Sequence, residues 1–257
     1  MRIMCCFTGK VEEVKNTRIF ARLGEHGNQV LIYQMSMNAP QELAMVLPIP
    51  VKAGADEDAV KFFDFSKYEA VFEDLWELFP EPTSKGAGPF GAVPTAAAPV
   101  YSLKVVSVGA YDASFVPTIA DFSRLDARFR LPEGVWAKLP GYADFGFAVF
   151  KLKAGNAQVH PMAFSFPTAL LGTVFFPTLH IHDGEVHEKE RFDHTLYLQG
   201  GSMDSARSGW QESPMLPVTK VKCGNTHGMI RPDLHVFRSV MRGKFENGDV
   251  VVKPGKF

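Results

Sequence analysis

The sequence predicts an α+β protein that is dominated by antiparallel sheet, with a few packed helices. Runs of branched and aromatic residues bounded by Gly, Asn and Pro recur along the chain, which is typical of successive antiparallel strands. Two shorter stretches carry apolar residues at helical spacing instead. With 257 residues, 46% of them hydrophobic, the chain is long enough to bury a large core.

The first strands are predicted between residues 17 and 51. RIFARL and QVLIYQMSM lie on either side of the turn residues EHGN (25–28), and LAMVLPIPV follows. Because Gly and Asn accept the backbone angles of a tight turn, we expect a hairpin here. Later strands are predicted in YSLKVVSVGAYD, GFAVFKLKAGN, QVHPMAFSF and TVFFPTLHIH.

Two helices are predicted, over residues 57–79 and 117–129. In the first, Ser66 and Glu69 match a capping box, and Pro80 ends the helix. Its apolar face would consist of Tyr68, Val71, Phe72, Leu75 and Phe79. The face of the second would consist of Ile119, Phe122, Leu125 and Phe129.

Residues 86–99, rich in Pro, Gly and Ala, predict a linker or loop between a first half (1–85) and a second half (100–257). Its GAGPFG stretch formally matches a dinucleotide-binding motif, but flanking prolines disagree with the strand and helix that such a motif needs. Residues 29–51 align without a gap on 158–180, with matching Gln, Val, Ser and Pro positions. This alignment indicates duplicated halves, and chance similarity of two sheet segments is the alternative.

Four of the eight histidines fall between His180 and His194. Asp183 and Gly184 are a strong signal for a two-residue hairpin turn. In such a hairpin, alternation of side chains places a cluster of polar residues on one face of the ribbon. The cluster would consist of His180, His182, Glu185 and His187.

Imidazole and carboxylate groups at this spacing predict a metal site, with zinc as the first expectation and copper or iron as alternatives. His180, His182 and His187 would be the ligands, and Glu185 a ligand or a base. His194 has the opposite parity from His187 and would need a bulge to join the site as a catalytic group. A solvated hairpin with no metal is the competing interpretation.

Thiol chemistry at Cys5 or Cys6 is a further hypothesis, and Cys223 is the third cysteine. A catalytic cysteine needs a base within reach, which the sequence does not reveal. Three cysteines are too few for a disulfide framework and fit a reducing compartment.

The charge and hydropathy of the chain exclude several classes of partner. Lys and Arg number 27 against 28 Asp and Glu, and the basic residues form no stripe, so binding to nucleic acid is not expected. The sequence shows neither an export signal nor an apolar run long enough to span a bilayer. We therefore expect a soluble, cytoplasmic protein that does not bind membranes, and the sequence gives no indication of its oligomeric state.

Several phrases of the sequence occur together as a set. They are CCF (5–7), RIFAR (18–22), AMVLPIPV (44–51), VGAYD (108–112), LPGYADFGFAVFKLKAG (139–155) and FFPTLHIHDG (175–184). Together they resemble a bacterial family of unknown function whose members are often exported and begin with a tip rich in Cys, Gly and Phe. This chain departs from those members by lacking a signal peptide. The resemblance implies a common sheet-rich scaffold and no catalytic residues.

These observations lead to one functional prediction and one rival. The prediction is a metal-binding protein, or more specifically a metal-dependent enzyme. Its partner would be a small molecule or a protein. The rival is a non-catalytic binding or assembly module with an exposed hairpin.

Overall fold

The computed structural model describes residues 6–51, 54–80, 104–109, 111–132, 134–181, 185–201 and 209–255. Strands make up most of the regular structure in these ranges. The strands are β1 (Cys6–Phe7), β2 (Glu13–Leu23), β3 (Asn28–Ala39), β4 (Leu43–Ile49), β5 (Lys61–Asp64), β6 (Val105–Val108), β7 (Tyr111–Val116), β8 (Gly146–Leu152), β9 (Gly155–Gln158), β10 (Met162–Pro167), β11 (Val174–Phe176), β12 (Lys189–Gln199), β13 (Gln211–Glu212), β14 (Val236–Glu246) and β15 (Val250–Val252). The α-helix in these ranges is α1 (Val71–Trp76).

Two sheets make up the body of the protein. The larger has the order β13-β14-β12-β2-β3-β10-β5, with β9 also paired to β3. The smaller has the order β1-β4-β8-β7-β6, and β11 and β15 form a separate two-stranded sheet. Most neighbours are antiparallel, but β12 pairs with β2 in parallel. Both sheets combine strands from before and after residues 86–99.

The central strands of the larger sheet are buried on both faces, and the alternation of side chains along them shows this. On β3, Leu31 and Tyr33 face a core shared with the smaller sheet, whereas Ile32 faces a second core. The second core contains α1 and residues from the 215–236 segment, such as Met229 and Ile230. Strands buried on both faces are expected to be rich in apolar residues, as in the VLIY stretch of β3 and the LYL stretch of β12.

The smaller sheet is also covered on its outer side. Met45 and Leu47 of β4 face the shared core, whereas Val46 faces a third cluster. That cluster includes Phe122 and Phe129, which belong to short 3₁₀ helices. Each buried side chain of this size contributes about 2 kcal/mol to folding by leaving water.

The predicted α+β class is wrong, because the protein is mostly β. The predicted helix over 57–79 contains strand β5 and only six helical residues, and the helix begins at Val71 rather than after Ser66. The backbone N–H of Ser66 donates to Asp64 Oδ1 at 2.8 Å in a turn, so Ser66 does not cap α1. The apolar face is nevertheless real, since Tyr68 and Leu75 are buried in one cluster.

The predicted helix over 117–129 is two 3₁₀ helices, Ile119–Arg124 and Ala127–Phe129. The chain is extended at Leu125, and the Asp126 side chain accepts from the backbone N–H of Arg128 at 3.0 Å. Apolar residues spaced by three also line one side of a 3₁₀ helix, so the pattern predicted a buried face correctly and the type of helix incorrectly.

The predicted β2–β3 hairpin is confirmed. Its turn is Glu25–Gly27, where His26 and Gly27 both have positive φ, at 57° and 75°. Gly adopts such angles without strain, and the turn therefore matches the EHGN signal. None of the helices in the described ranges combines the length and hydropathy that a membrane crossing requires.

The buried side chain of Gln29 joins the large sheet to the two-stranded sheet. Its Nε2 donates to the Phe175 carbonyl at 2.7 Å, and the Phe175 N–H donates to Oε1 at 3.0 Å. One side-chain amide thus hydrogen-bonds to Phe175 as the backbone of a neighbouring strand would.

Replacing this amide tests its contribution. Because Gln29→Leu leaves the buried N–H and C=O of Phe175 without partners, we expect it to lower the free energy of unfolding by about 2 kcal/mol or more. The matched control is Gln41→Leu at an exposed position, where the change should stay within about 0.5 kcal/mol. Urea denaturation of both variants measures the difference, and equal losses would contradict this role of Gln29.

Candidate functional site

The histidine-rich segment is only partly inside the described ranges. His182, Asp183 and Gly184 lie outside them, and so does the predicted two-residue turn. Ile181 makes an isolated parallel bridge with Cys6 at the edge of the smaller sheet. The segment before the predicted turn therefore runs beside β1.

Asn247 holds the two ends of this segment together. Its Nδ2 donates to the carbonyls of His180 and His187, at 2.9 and 3.0 Å, and its Oδ1 accepts from the His180 N–H at 2.8 Å. The backbones at His180 and His187 therefore lie on either side of one amide group. Their side chains differ in environment, because His180 is fully buried and His187 is exposed.

Glu185, predicted as a ligand or base, is exposed and forms an ion pair with Lys138. An exposed ion pair of this kind contributes little to stability, about 0.5 kcal/mol. The ion pair links the histidine-rich segment to the 3₁₀ helix Trp136–Lys138 of the third cluster. The described contacts thus give Glu185 a surface position and an electrostatic partner.

His194 lies inside the protein, on strand β12. It is directly opposite Met241 on β14 and Thr17 on β2. Its ring centroid lies 5.3 Å from that of His180, with the planes inclined by 25°. The His180 ring also stacks on Phe192, at 4.3 Å and 24°. The structure therefore brings His180 and His194 together in an aromatic stack.

The surroundings of His194 favour its neutral form. Burial lowers the pKa of His194 well below its usual value, and the neighbouring His180 lowers it further. Neither ring nitrogen of His194 has a hydrogen-bond partner among the described residues. A neutral imidazole can bind a metal, but a catalytic site needs at least three ligands and access for a substrate.

Metal binding by His180, His182 and His187 stays a prediction. In the part of the chain that the structure describes, no group of three or more His, Cys, Asp or Glu side chains is placed to hold a metal ion. His182 lies outside that part, so the predicted ligand set is not tested as a whole. Zinc, copper and iron accordingly remain predictions as well.

Asp249 anchors the segment next to His180. Its Oδ1 accepts from the N–H groups of Thr178 and Leu179, at 2.7 and 2.8 Å, and its Oδ2 accepts from the Tyr142 hydroxyl at 2.7 Å. Burial raises the pKa of Asp249 to about 6, against the effect of these three donors. The carboxylate thus fixes the backbone at Thr178 and Leu179, and it does so in a desolvated environment.

The described cysteines do not resemble activated nucleophiles. Cys6 is 1% exposed, and its thiol donates to the Leu179 carbonyl at 3.6 Å. Burial raises the pKa of Cys223, which opposes thiolate formation. Cys5 lies outside the described ranges.

Sequence reasoning missed Asn247 and Asp249, and it missed the pairing of His180 with His194. An Asn-Gly-Asp stretch is a turn signal, but such a signal does not reveal which distant backbone groups its side chains will bind. Parity along one hairpin also cannot describe the contact between His180 and His194, because Ile181 bridges to Cys6 of β1 and the His180 backbone bonds to Asn247.

The pH dependence of stability tests the buried state of His194. The folded-state pKa of His194 is depressed. Its contribution to the free energy of unfolding is therefore fully present above the unfolded-state pKa of about 6.5 and is lost as the pH falls below about 6.5. Relative to His194→Phe, the wild type should lose about 1.4 kcal/mol for each pH unit below that value. Urea unfolding at a series of pH values measures the difference, to which titrating groups that do not contact His194 contribute equally in both proteins.

The exposed His26 provides the matched control. His26→Asn keeps a residue that tolerates positive φ and should retain the wild-type pH dependence. Equal pH dependence in the wild type and His194→Phe would contradict a buried neutral His194.

Comparison with known proteins identifies the fold. No protein-family model and no curated protein matches the chain, so the resemblance to a bacterial family stays a prediction.

Baculovirus P35 in its crystal structure is similar over 98% of this chain and 100% of its own, with 12% identity and a TM-score of 0.51. A mutated baculovirus P35 after caspase cleavage has 13% identity, coverages of 94% and 100%, and a TM-score of 0.50. P35 from the caspase-8/P35 complex has 12% identity, coverages of 94% and 97%, and a TM-score of 0.50. At these identities the likeness shows the fold alone, and this chain therefore shares the sheet-rich fold of a viral protein.

Proposed function

We propose that this protein is a non-catalytic binding protein whose partner is another protein, and that caspase-type proteases are the first partners to test. The likeness to baculovirus P35, which spans nearly the whole of both chains, carries the proposal. One similar structure is a complex of P35 with caspase-8, and another is a P35 after caspase cleavage. The fold is therefore known in a protein that a protease binds.

The environment of the predicted catalytic groups supports a non-catalytic function. His194 is 1% exposed and His180 is fully buried, so a substrate in solution does not reach either ring. The accessible Glu185 is paired with Lys138. General acid–base catalysis requires a group within hydrogen-bond distance of the substrate. Among the predicted site residues that the structure describes, only Glu185 and His187 are exposed.

A cytoplasmic location is part of the same proposal. Cys6 and Cys223 are free thiols, as expected for a reducing compartment.

The proposal is tested by mixing the purified, untagged full chain with active caspase-8. We expect the two proteins to co-elute in size-exclusion chromatography, with a dissociation constant of about 1 μM or tighter, as stable interfaces of standard size give. Hydrolysis of a fluorogenic peptide by caspase-8 should fall as this protein is titrated in. Intact mass spectrometry reports whether the protease cleaves this protein. Other cysteine proteases are included as a panel.

The double variant Glu185→Gln, His187→Ala serves as the matched control. A non-catalytic binding protein retains complex formation and inhibition in this variant, because the change removes the accessible acid–base groups but leaves the buried core intact. Absence of a complex with every protease of the panel would contradict the protease partner. If the double variant folds but no longer inhibits the protease, this result would favour the catalytic alternative instead.

A further inference from the structure

A cavity of about 350 Å³ lies beside the turn of the β2–β3 hairpin. It is in the size range of small-molecule sites. Its lining contains four basic side chains and one hydroxyl group, and no Phe, Tyr or Trp. The residues that matter here are Arg22, Glu25, His26, Lys61, Ser165 and Arg231.

The register of four neighbouring strands builds one wall of this cavity. Arg22 of β2 lies opposite Val30 of β3, Val30 lies opposite Ser165 of β10, and Ser165 lies opposite Lys61 of β5. Directly opposed residues of antiparallel strands project from the same face. Arg22, Ser165 and Lys61 therefore stand in one row across the large sheet, and the sheet fixes their spacing.

Arg22 is a half-buried cation that is held by carbonyl groups. Its guanidinium donates to the carbonyls of Met229, Gly228 and Leu23, at 3.0, 3.0 and 3.1 Å. These bonds use three of the five N–H groups of an arginine and leave two. Burial and the nearby Arg231 lower its pKa, so two cations lie close together here.

The other charges of the cavity do not neutralise this row. Glu25 lies near Arg22 and Arg231, and Arg231 is bound by Asp233 through two hydrogen bonds of 3.1 and 2.9 Å. The exposed Lys61 has no ion-pair partner within the described ranges. Three cationic side chains thus face two carboxylates, and the three donors of the Lys61 ammonium remain available.

We propose that this cavity binds a phosphoryl group, which Lys61, the remaining N–H groups of Arg22 and the Ser165 hydroxyl would hold. A guanidinium fork and a lysine point charge are the donors that proteins use for phosphate oxygens. Because no large aromatic ring lines the cavity, its chemistry recognises the anionic group rather than a nucleobase. The inference is independent of the proposed protease partner, since it rests only on the cavity and its charges.

The test is isothermal titration calorimetry of the full chain with inorganic phosphate and with a phosphoserine peptide, next to the unphosphorylated peptide. Lys61→Met should weaken phosphate binding by about tenfold, the effect of losing a hydrogen bond from a charged group. The matched control is Lys244→Met, which changes an exposed strand lysine outside the cavity and should leave binding unchanged. Lys61→Arg, which keeps the charge, should retain most of the affinity.

The two phosphate sources give distinguishable results. Tighter binding of the phosphoserine peptide than of inorganic phosphate supports a phosphoryl site for a phosphorylated protein, and the reverse supports one for a free phosphate compound. Saturable binding should weaken as the salt concentration rises. Absence of saturable binding by both probes, or equal affinity in the wild type and Lys61→Met, would overturn the proposal. Far-ultraviolet circular dichroism confirms that each variant is folded.

Discussion

Burial of the central strands of the large sheet on both faces is the constraint on which the rest of the structure depends. On β12, Leu196 and Leu198 pack toward the smaller sheet, while Tyr197 packs toward the layer of α1. A charged side chain on such a strand must find partners within the protein, because burying an unpaired charge is costly. Arg18 on β2 meets this demand through Glu73 and the Gln34 side chain, both at 2.7 Å.

The same constraint explains the histidines. Because His194 lies on a strand between two others, its ring enters a core, where it stacks with His180 and stays neutral. A residue type that is typical of metal and acid–base sites here packs as an aromatic group. The two described histidines that stack in this core, His180 and His194, are therefore removed from solvent. The accessible Lys61, in contrast, lies on β5 at the edge of the same sheet.

Local patterns predicted some parts of this structure and not others. The β2–β3 hairpin was predictable because Glu25 to Asn28 contain the turn signal within the hairpin itself. The type of helix over 117–129 was not, since spacing by three fits a 3₁₀ helix as well as an α-helix and nothing local shows that the chain becomes extended at Leu125. The contact between His180 and His194 depends on how distant strands assemble. The row of Arg22, Ser165 and Lys61 likewise arises from three separate strand pairings.

Native-state hydrogen exchange tests the doubly buried sheet most directly. If β12 is an interior strand covered on both faces, the amides of residues 192–199 should be among the slowest to exchange, with protection that approaches the global free energy of unfolding. Exchange of these amides as fast as that of the exposed turn at residues 25–27 would contradict the placement of β12, and with it the buried histidine stack.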